Sequence, residues 1–155
     1  MTNLSVQLAS KDIAEQLCRQ ITLDLPEYFG LPECNEQYAR AVRTKTNFVL
    51  SENNDSIGLL SLDFPYPHNA NIYWMGILKA QHGLGYGRLL IESAIQHART
   101  HDAKTMTVET LAPDASDENY LKTYRFYERM GFAPLFNLKP NGYEWNMVYM
   151  CLVLA

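Results

Sequence analysis

The sequence predicts an α/β fold built on a mixed sheet, and three observations lead there. An apolar run, Ile72-Tyr73-Trp74-Met75-Gly76-Ile77-Leu78, is followed by three alternating glycines and then a helical pattern reaching about Arg99. Short segments at Leu4–Leu8 and Thr105–Glu109 alternate with the two-residue period of strands. Phe126-Tyr127-Glu128-Arg129-Met130-Gly131-Phe132 passes from a helical pattern straight into a strand. Gly131 suits the left-handed position just past a helix end.

The elements follow in order. Leu4–Leu8 is a first strand. Ser10 caps a helix running to about Leu23, with Ile13, Leu17 and Ile21 on one face. Pro26 to Pro32 is a break, and a second helix covers Glu33 to Arg43. Phe48-Val49-Leu50 and Ile57–Leu62 are strands of a hairpin turned at Asn53-Asn54-Asp55. Pro65-Tyr66-Pro67 makes the next connection, before the strand at Ile72. Thr105–Glu109 follows the long helix. Pro113 to Asp117 is a loop in which Ser116 or Asp117 caps another helix. Phe132–Phe136 and Met147–Leu154 close the chain as strands. No repeat, linker or low-complexity segment is visible.

Size and composition fit one compact domain over residues 1–155. A chain of 155 residues buries roughly two thirds of its unfolded surface around a single core. At 47% hydrophobic residues it does not read as disordered. No signal-peptide pattern and no bilayer-length apolar run are present. Cys18, Cys34 and Cys151 are odd in number and widely spaced, which suits reduced thiols in a cytoplasmic protein. The net charge of −4 and thirteen scattered Lys and Arg residues argue against a nucleic-acid partner.

The glycine segment His82-Gly83-Leu84-Gly85-Tyr86-Gly87-Arg88 carries the chemistry. Glycines let the backbone approach a ligand closely, and the first helical N–H groups lack intrahelical partners. The helix dipole adds positive potential at the same place, so a diphosphate-bearing ligand is expected there. The dinucleotide fingerprint fails because G-x-G-x-x read from Gly85 ends at Leu90. The P-loop pattern fails because no Gly-Lys-Ser/Thr follows. The alternative is a glycine-rich turn with no ligand.

Together, His82-x-x-Gly85-x-Gly87 and Tyr127-x-x-x-Gly131-Phe132 resemble the GNAT acetyltransferase superfamily. That family carries Q/R-x-x-G-x-G/A before its central helix and a Tyr-x-x-x-Gly-Phe signature further on. The resemblance runs from about Val49 to Leu154. It implies a GNAT-type acyl-CoA N-acyltransferase fold of order β-α-α-β-β-β-α-β-α-β-β. Its fourth and fifth strands run parallel and splay apart to hold acetyl-CoA. On that reading Ile77 and Lys79 offer backbone groups to the pantetheine arm, and Gly83, Leu84, Gly85, Tyr86, Gly87 and Arg88 cradle the diphosphate. His82 stands where the family has Gln or Arg. It acts either through its imidazole, making affinity pH-dependent, or through its backbone N–H alone.

Acetyl transfer to an amine needs a neutral amine, a stabilised oxyanion and a proton for the departing thiolate. A backbone N–H near Ile77–Leu78 can hold the oxyanion. The resemblance makes Tyr127 the acid. The helical pattern alone, with Tyr120, Tyr124 and Tyr127 on one face, favours packing. Glu109 is the candidate base, acting through a water, with a surface role as the alternative. Asp63, His68 and Glu144 are weaker candidates. His97 and His101 have metal-ligand spacing but no third ligand, so no metal is expected. Neither Cys34 nor Cys151 has a motif partner for an acyl-thiol route.

Aromatic loops at Tyr28-Phe29-Gly30-Leu31-Pro32, Pro65-Tyr66-Pro67-His68 and Asn141-Gly142-Tyr143-Glu144-Trp145 are candidate walls of an acceptor pocket. The expected function is acetyl transfer from acetyl-CoA to a primary amine by direct attack in a ternary complex. No membrane partner is expected, and a homodimer is compatible with this reading. The alternatives are a non-catalytic acyl-CoA sensor of the same fold and, more remotely, an ATP-binding protein.

Overall fold

A computed structural model describes residues 2–154. The elements are β1 (Leu4–Ala9), α1 (Lys11–Asp24), α2 (Pro32–Ala41), β2 (Thr46–Glu52), β3 (Asp55–Tyr66), β4 (Asn69–Ile77), α3 (Tyr86–Thr100), β5 (Thr105–Leu111), α4 (Glu118–Arg129), β6 (Ala133–Leu138) and β7 (Met147–Val153), with short 3-10 turns between some of them. This is the expected order. The strands form one sheet in the order β1-β2-β3-β4-β5-β7-β6. The β4–β5 pair is parallel, whereas the β1–β2, β2–β3, β5–β7 and β6–β7 pairs are antiparallel.

The chain divides into two compact units, Met1–Asp63 with Tyr73–His97, and Phe64–Ile72 with Ala98–Ala155. In the first unit, Ser10 Oγ accepts from Ile13 N–H at 3.3 Å and starts α1. The buried face of α1 is Ala14, Leu17, Cys18 and Ile21, at helical spacing. Ile13, expected on that face, is 49% exposed: it lies in the first turn, one position off the stripe. Arg19 bonds Glu15 at 3.0 Å and also pairs with Glu36, while Arg43 reaches Asp12 and Glu15, each at 2.8 Å. These pairs tie α1 to α2 and to the turn after it. The β2–β3 hairpin closes on Asn53 and Asn54, both with positive φ, as a two-residue turn between right-twisted strands requires.

Three of the boundaries that differ from the sequence reading bear on candidate residues or connections. β3 continues through Pro65 to Tyr66, so the expected connection shrinks to a turn at residues 67–68. Pro65 is tolerated there because the end of this strand is exposed. β4 ends at Ile77, and Lys79 falls in a 3-10 turn, Lys79–Gln81. β5 runs to Leu111, which puts Glu109 inside the strand rather than at its end.

In the second unit, β4 pairs with β5 from Asn69↔Thr105 to Ile72↔Val108. Asp117 caps α4 by accepting from Tyr120 N–H at 3.0 Å. Gly131 stands just past the end of α4 with φ +100°. Phe132 N–H donates back to Tyr127 C=O at 3.0 Å, locking the helix-to-strand corner. The outer strand, β6, leaves Leu135, Phe136 and Leu138 more than half exposed. Among the described residues, no helix is long and apolar enough to cross a membrane.

Candidate active site

The glycine loop links the β4 strand to α3, as the alternating glycines imply. Gly83 and Gly85 have φ of +76° and +79°, a region that disfavours residues with a Cβ. A Cβ built on either would meet nothing within 4 Å, so the glycines are not there to relieve crowding from the protein. They keep open a cradle at the N-terminus of α3, where unpaired N–H groups and the dipole favour an anion. The residues present therefore fit a diphosphate. Arg88, on the first turn of α3, is exposed and lies 3.8 Å from Glu92.

Glu52, the last residue of β2, braces both shoulders of this loop. Its Oε2 accepts from the Tyr86 hydroxyl at 2.6 Å, and its Oε1 from Gln81 Nε2 at 3.4 Å. The carboxylate raises the Tyr86 phenol pKa above its ordinary value. Between the two shoulders sit His82, Gly83, Leu84 and Gly85.

At the end of β4 the backbone groups of Ile77 and Lys79 are met by two side chains. His82 Nε2 lies 2.6 Å from Ile77 C=O and donates to it, and Asp24 Oδ2 accepts from Lys79 N–H at 2.7 Å. Backbone groups at a strand end need partners, and here two side chains of the same unit supply them. Together they present one donor and one acceptor, the pair an amide group of an added strand would present. Leu78 N–H donates to Ile57 C=O at 2.9 Å, which removes it as an oxyanion donor. Successive strand amides point to opposite edges, so Ile77 N–H faces the other way.

Nothing in the motif pointed to Asp24 or Glu52. Asp24 did carry a signal: it is an acid in the last turn of a helix, where the dipole favours a base, so it needs a compensating donor. Glu27 follows it, and Lys79 Nζ lies 3.2 Å from Glu27. A hydrogen bond from its own backbone N–H, with Lys79 adding to it, lowers the Glu27 pKa. An open cavity of about 490 Å³ is lined by Gln20, Leu23, Asp24, Leu78, Ala80 and Gln81.

The aromatic segments divide. Tyr28 and Phe29 are half-buried. Phe29 packs on Trp74 at 5.3 Å, and Tyr28 meets the His82 ring edge-on at 6.2 Å. Both pack against the core of this unit. Trp74 itself is only 5% exposed. Tyr66, Tyr143 and Trp145 are exposed, as loop aromatics were expected to be.

In the second unit Tyr127 is 6% exposed and lies between Phe126 and Phe132, with ring centroids 5.4 and 5.6 Å away. Burial pushes its phenol pKa up, well away from a thiol, so it stays protonated at neutral pH. Glu109 is exposed on β5 and stands opposite Tyr149 of β7. Burial, and then the Glu109 carboxylate that Tyr149 bonds, push the Tyr149 phenol up to about 12. Tyr149 also stacks on Phe136 at 5.1 Å. The weaker base candidates each have their own surroundings. Asp63 pairs with Lys45 at 3.3 Å, His68 Nδ1 lies 3.1 Å from Asp102 C=O, and Glu144 is exposed. His97 packs edge-on against Phe48 at 5.3 Å. All three cysteines are free thiols, and burial pushes Cys18 up to about 12.

Residues 14–132 match the model of the acetyltransferase (GNAT) family. The chain belongs to this family. Solved structures agree on the GNAT fold. A GNAT-family protein from Desulfovibrio desulfuricans superposes with a TM-score of 0.83 at 19% identity, over 99% of this chain and 100% of its own. An aminoglycoside 6'-N-acetyltransferase complexed with coenzyme A gives 0.74 at 14% identity, over 97% of each chain. The ribosomal-protein-S18-alanine N-acetyltransferase of Escherichia coli gives 0.74 at 17% identity, over 100% of this chain and 95% of that one. At these identities the likeness carries the GNAT fold alone. No curated protein sequence matches the chain.

Proposed function

We propose that the protein transfers an acetyl group from acetyl-CoA to a primary amine, by direct attack while both are bound to one N-acetyltransferase domain. The observation that carries this reading is the open cradle at Gly83 and Gly85, set at the start of α3 in a chain of the GNAT family. The backbone of Gly83 to Arg88 would hold the diphosphate. Ile77 C=O and Lys79 N–H would take an amide of the pantetheine arm once His82 and Asp24 turn away. The coenzyme A complex of the aminoglycoside enzyme, which shares the fold, supports a ligand of this class.

The chemistry asks three things of the chain. The Ile77 N–H would stabilise the negative charge that builds on the acetyl oxygen as the amine nitrogen bonds to its carbon. Glu109 would take the proton lost by the amine, through a water. Tyr127 would give its proton to the sulfur as the carbon–sulfur bond breaks; burial holds the phenol protonated but, by raising its pKa, makes it a weaker acid for that step.

An amine panel with acetyl-CoA, read by release of free thiol, tests the reading. Thiol release that depends on the amine is expected. Coenzyme A binding with no transfer to any amine would favour an acyl-CoA sensor instead.

A further inference from the structure

The glycine loop is flexible by composition, yet its two flanks are fastened to one carboxylate. Gln81 precedes the four residues His82 to Gly85, and Tyr86 follows them. Both donate to Glu52, at 3.4 and 2.6 Å. Glu52 is itself fixed at the end of β2, opposite Leu4 on one side and Asp55 on the other. The loop therefore spans two anchors on β2, with His82 bonded in addition to Ile77 C=O. Of the Gln81 polar atoms, the buried Oε1 has no partner, so the bond to Glu52 is what orients this amide.

The carboxylate is also a paradox for its place. A negative charge beside a cradle suited to an anion opposes binding, by Coulomb repulsion that is only partly screened. A group retained against that repulsion is acting through geometry. We propose that Glu52 is a positioning residue for the anion-binding loop: it holds Gln81 and Tyr86 so that the amides between them converge on the ligand. This rests on the acetyl-CoA reading given above.

The two effects of Glu52, bracing and repulsion, have opposite signs and separate by substitution. Glu52→Ala removes both. Loss of two hydrogen bonds to a charged group should weaken coenzyme A binding about threefold to tenfold, because part of the ordering energy passes to the ligand. Glu52→Gln keeps an acceptor for the Tyr86 hydroxyl, removes the charge, and presents an NH2 that the unpartnered Gln81 Oε1 accepts from once the Gln81 amide turns over. It should bind coenzyme A as tightly as the unaltered protein or more tightly. A group that merely stabilises the fold would lower melting temperature and affinity together in both variants.

The experiment is calorimetric titration of coenzyme A into the unaltered protein, Glu52→Ala and Glu52→Gln. Hydrogen exchange of the Gly83 to Gly85 amides is followed in the ligand-free state. Weaker binding and faster exchange in Glu52→Ala, both restored in Glu52→Gln, are the expected results. Binding by Glu52→Ala within twofold of the unaltered protein, or a Glu52→Gln as weak as Glu52→Ala, would overturn the proposal. If Glu52→Ala does not fold, Tyr86→Phe removes the shorter of the two bonds alone and must weaken binding by at least about twofold. If the unaltered protein takes up no coenzyme A, the functional reading fails, and the proposal with it. Binding by the unaltered protein with no change in the variants sinks the positioning role alone.

Discussion

Tyr149 faces Glu109 across the β5–β7 ladder and donates its hydroxyl to the Glu109 carboxylate. A carboxylate engaged in this way is held in one orientation, and its charge keeps the phenol protonated. Glu109→Gln should therefore bring the Tyr149 pKa down from about 12 toward its ordinary value, short of reaching it because burial is the larger cause. Ultraviolet titration of the phenolate reads this. The same variant separates base from surface group. A base predicts a loss of kcat of about a hundredfold with the KM for acetyl-CoA unchanged; a surface group predicts no change in kcat.

Tyr127→Phe tests the acid. The phenol is enclosed between Phe126 and Phe132, so Phe fills the same space and stability should change by no more than about 1 kcal/mol. Turnover should fall at least about tenfold with the KM for acetyl-CoA preserved. Because burial raises the Tyr127 pKa, its acid form persists up to and beyond pH about 10. The pH profile should then show no descending limb from this group below that value. Unchanged turnover in Tyr127→Phe would leave it a packing residue.

Gly85→Ala separates strain from obstruction. A left-handed alanine costs about 1–2 kcal/mol, and the new methyl meets no atom of the ligand-free protein. Melting temperature should drop only a few degrees. Coenzyme A affinity should drop by more than tenfold, because the methyl enters the space reserved for the diphosphate. Calorimetry and thermal denaturation on the same samples compare the two losses.

Asp24→Ala frees the Lys79 amide. If a ligand amide must displace the Asp24 carboxylate, the variant should bind coenzyme A roughly two- to tenfold more tightly, the worth of one net hydrogen bond. Exchange of the Lys79 amide should quicken without ligand and slow again with it. Weaker binding would show instead that Asp24 supports the bound state.

Acid should unfasten α1 from α2. The Arg19 guanidinium lowers the Glu36 pKa to about 2 from its ordinary 4.5, and Arg19 and Arg43 lower that of Glu15. Since these folded-state values lie below the unfolded ones, the stabilisation is complete above pH 4.5 and is lost as pH falls toward 2. Melting temperature should decline across that window, and Arg19→Met should flatten the decline.

The order of all eleven elements was legible because the strong periodic segments sit between clear breakers. The apolar run Ile72–Leu78, for example, is ended by three alternating glycines. The loop's backbone was legible for the same reason, since positive φ at Gly83 and Gly85 writes itself into residue type. Glu52 and Asp24 were not. Each acts on residues 29 to 55 positions away, through contacts that only the folded sheet creates. The packing of Tyr28 and Phe29 was not legible because an aromatic loop looks the same in sequence whether it walls a pocket or packs on a core. Pro65 misled because proline ends most strands, but not one whose last residues are exposed.

The two tryptophans fall one to each unit, and their surroundings differ sharply. Trp74 is sealed against Phe29, whereas Trp145 is half open to solvent. Excited indoles report such differences in emission colour and in access to a quencher such as acrylamide. The chain thus carries its own two-channel optical gauge, through which the surroundings of Trp74 and of Trp145 can be followed separately without a label.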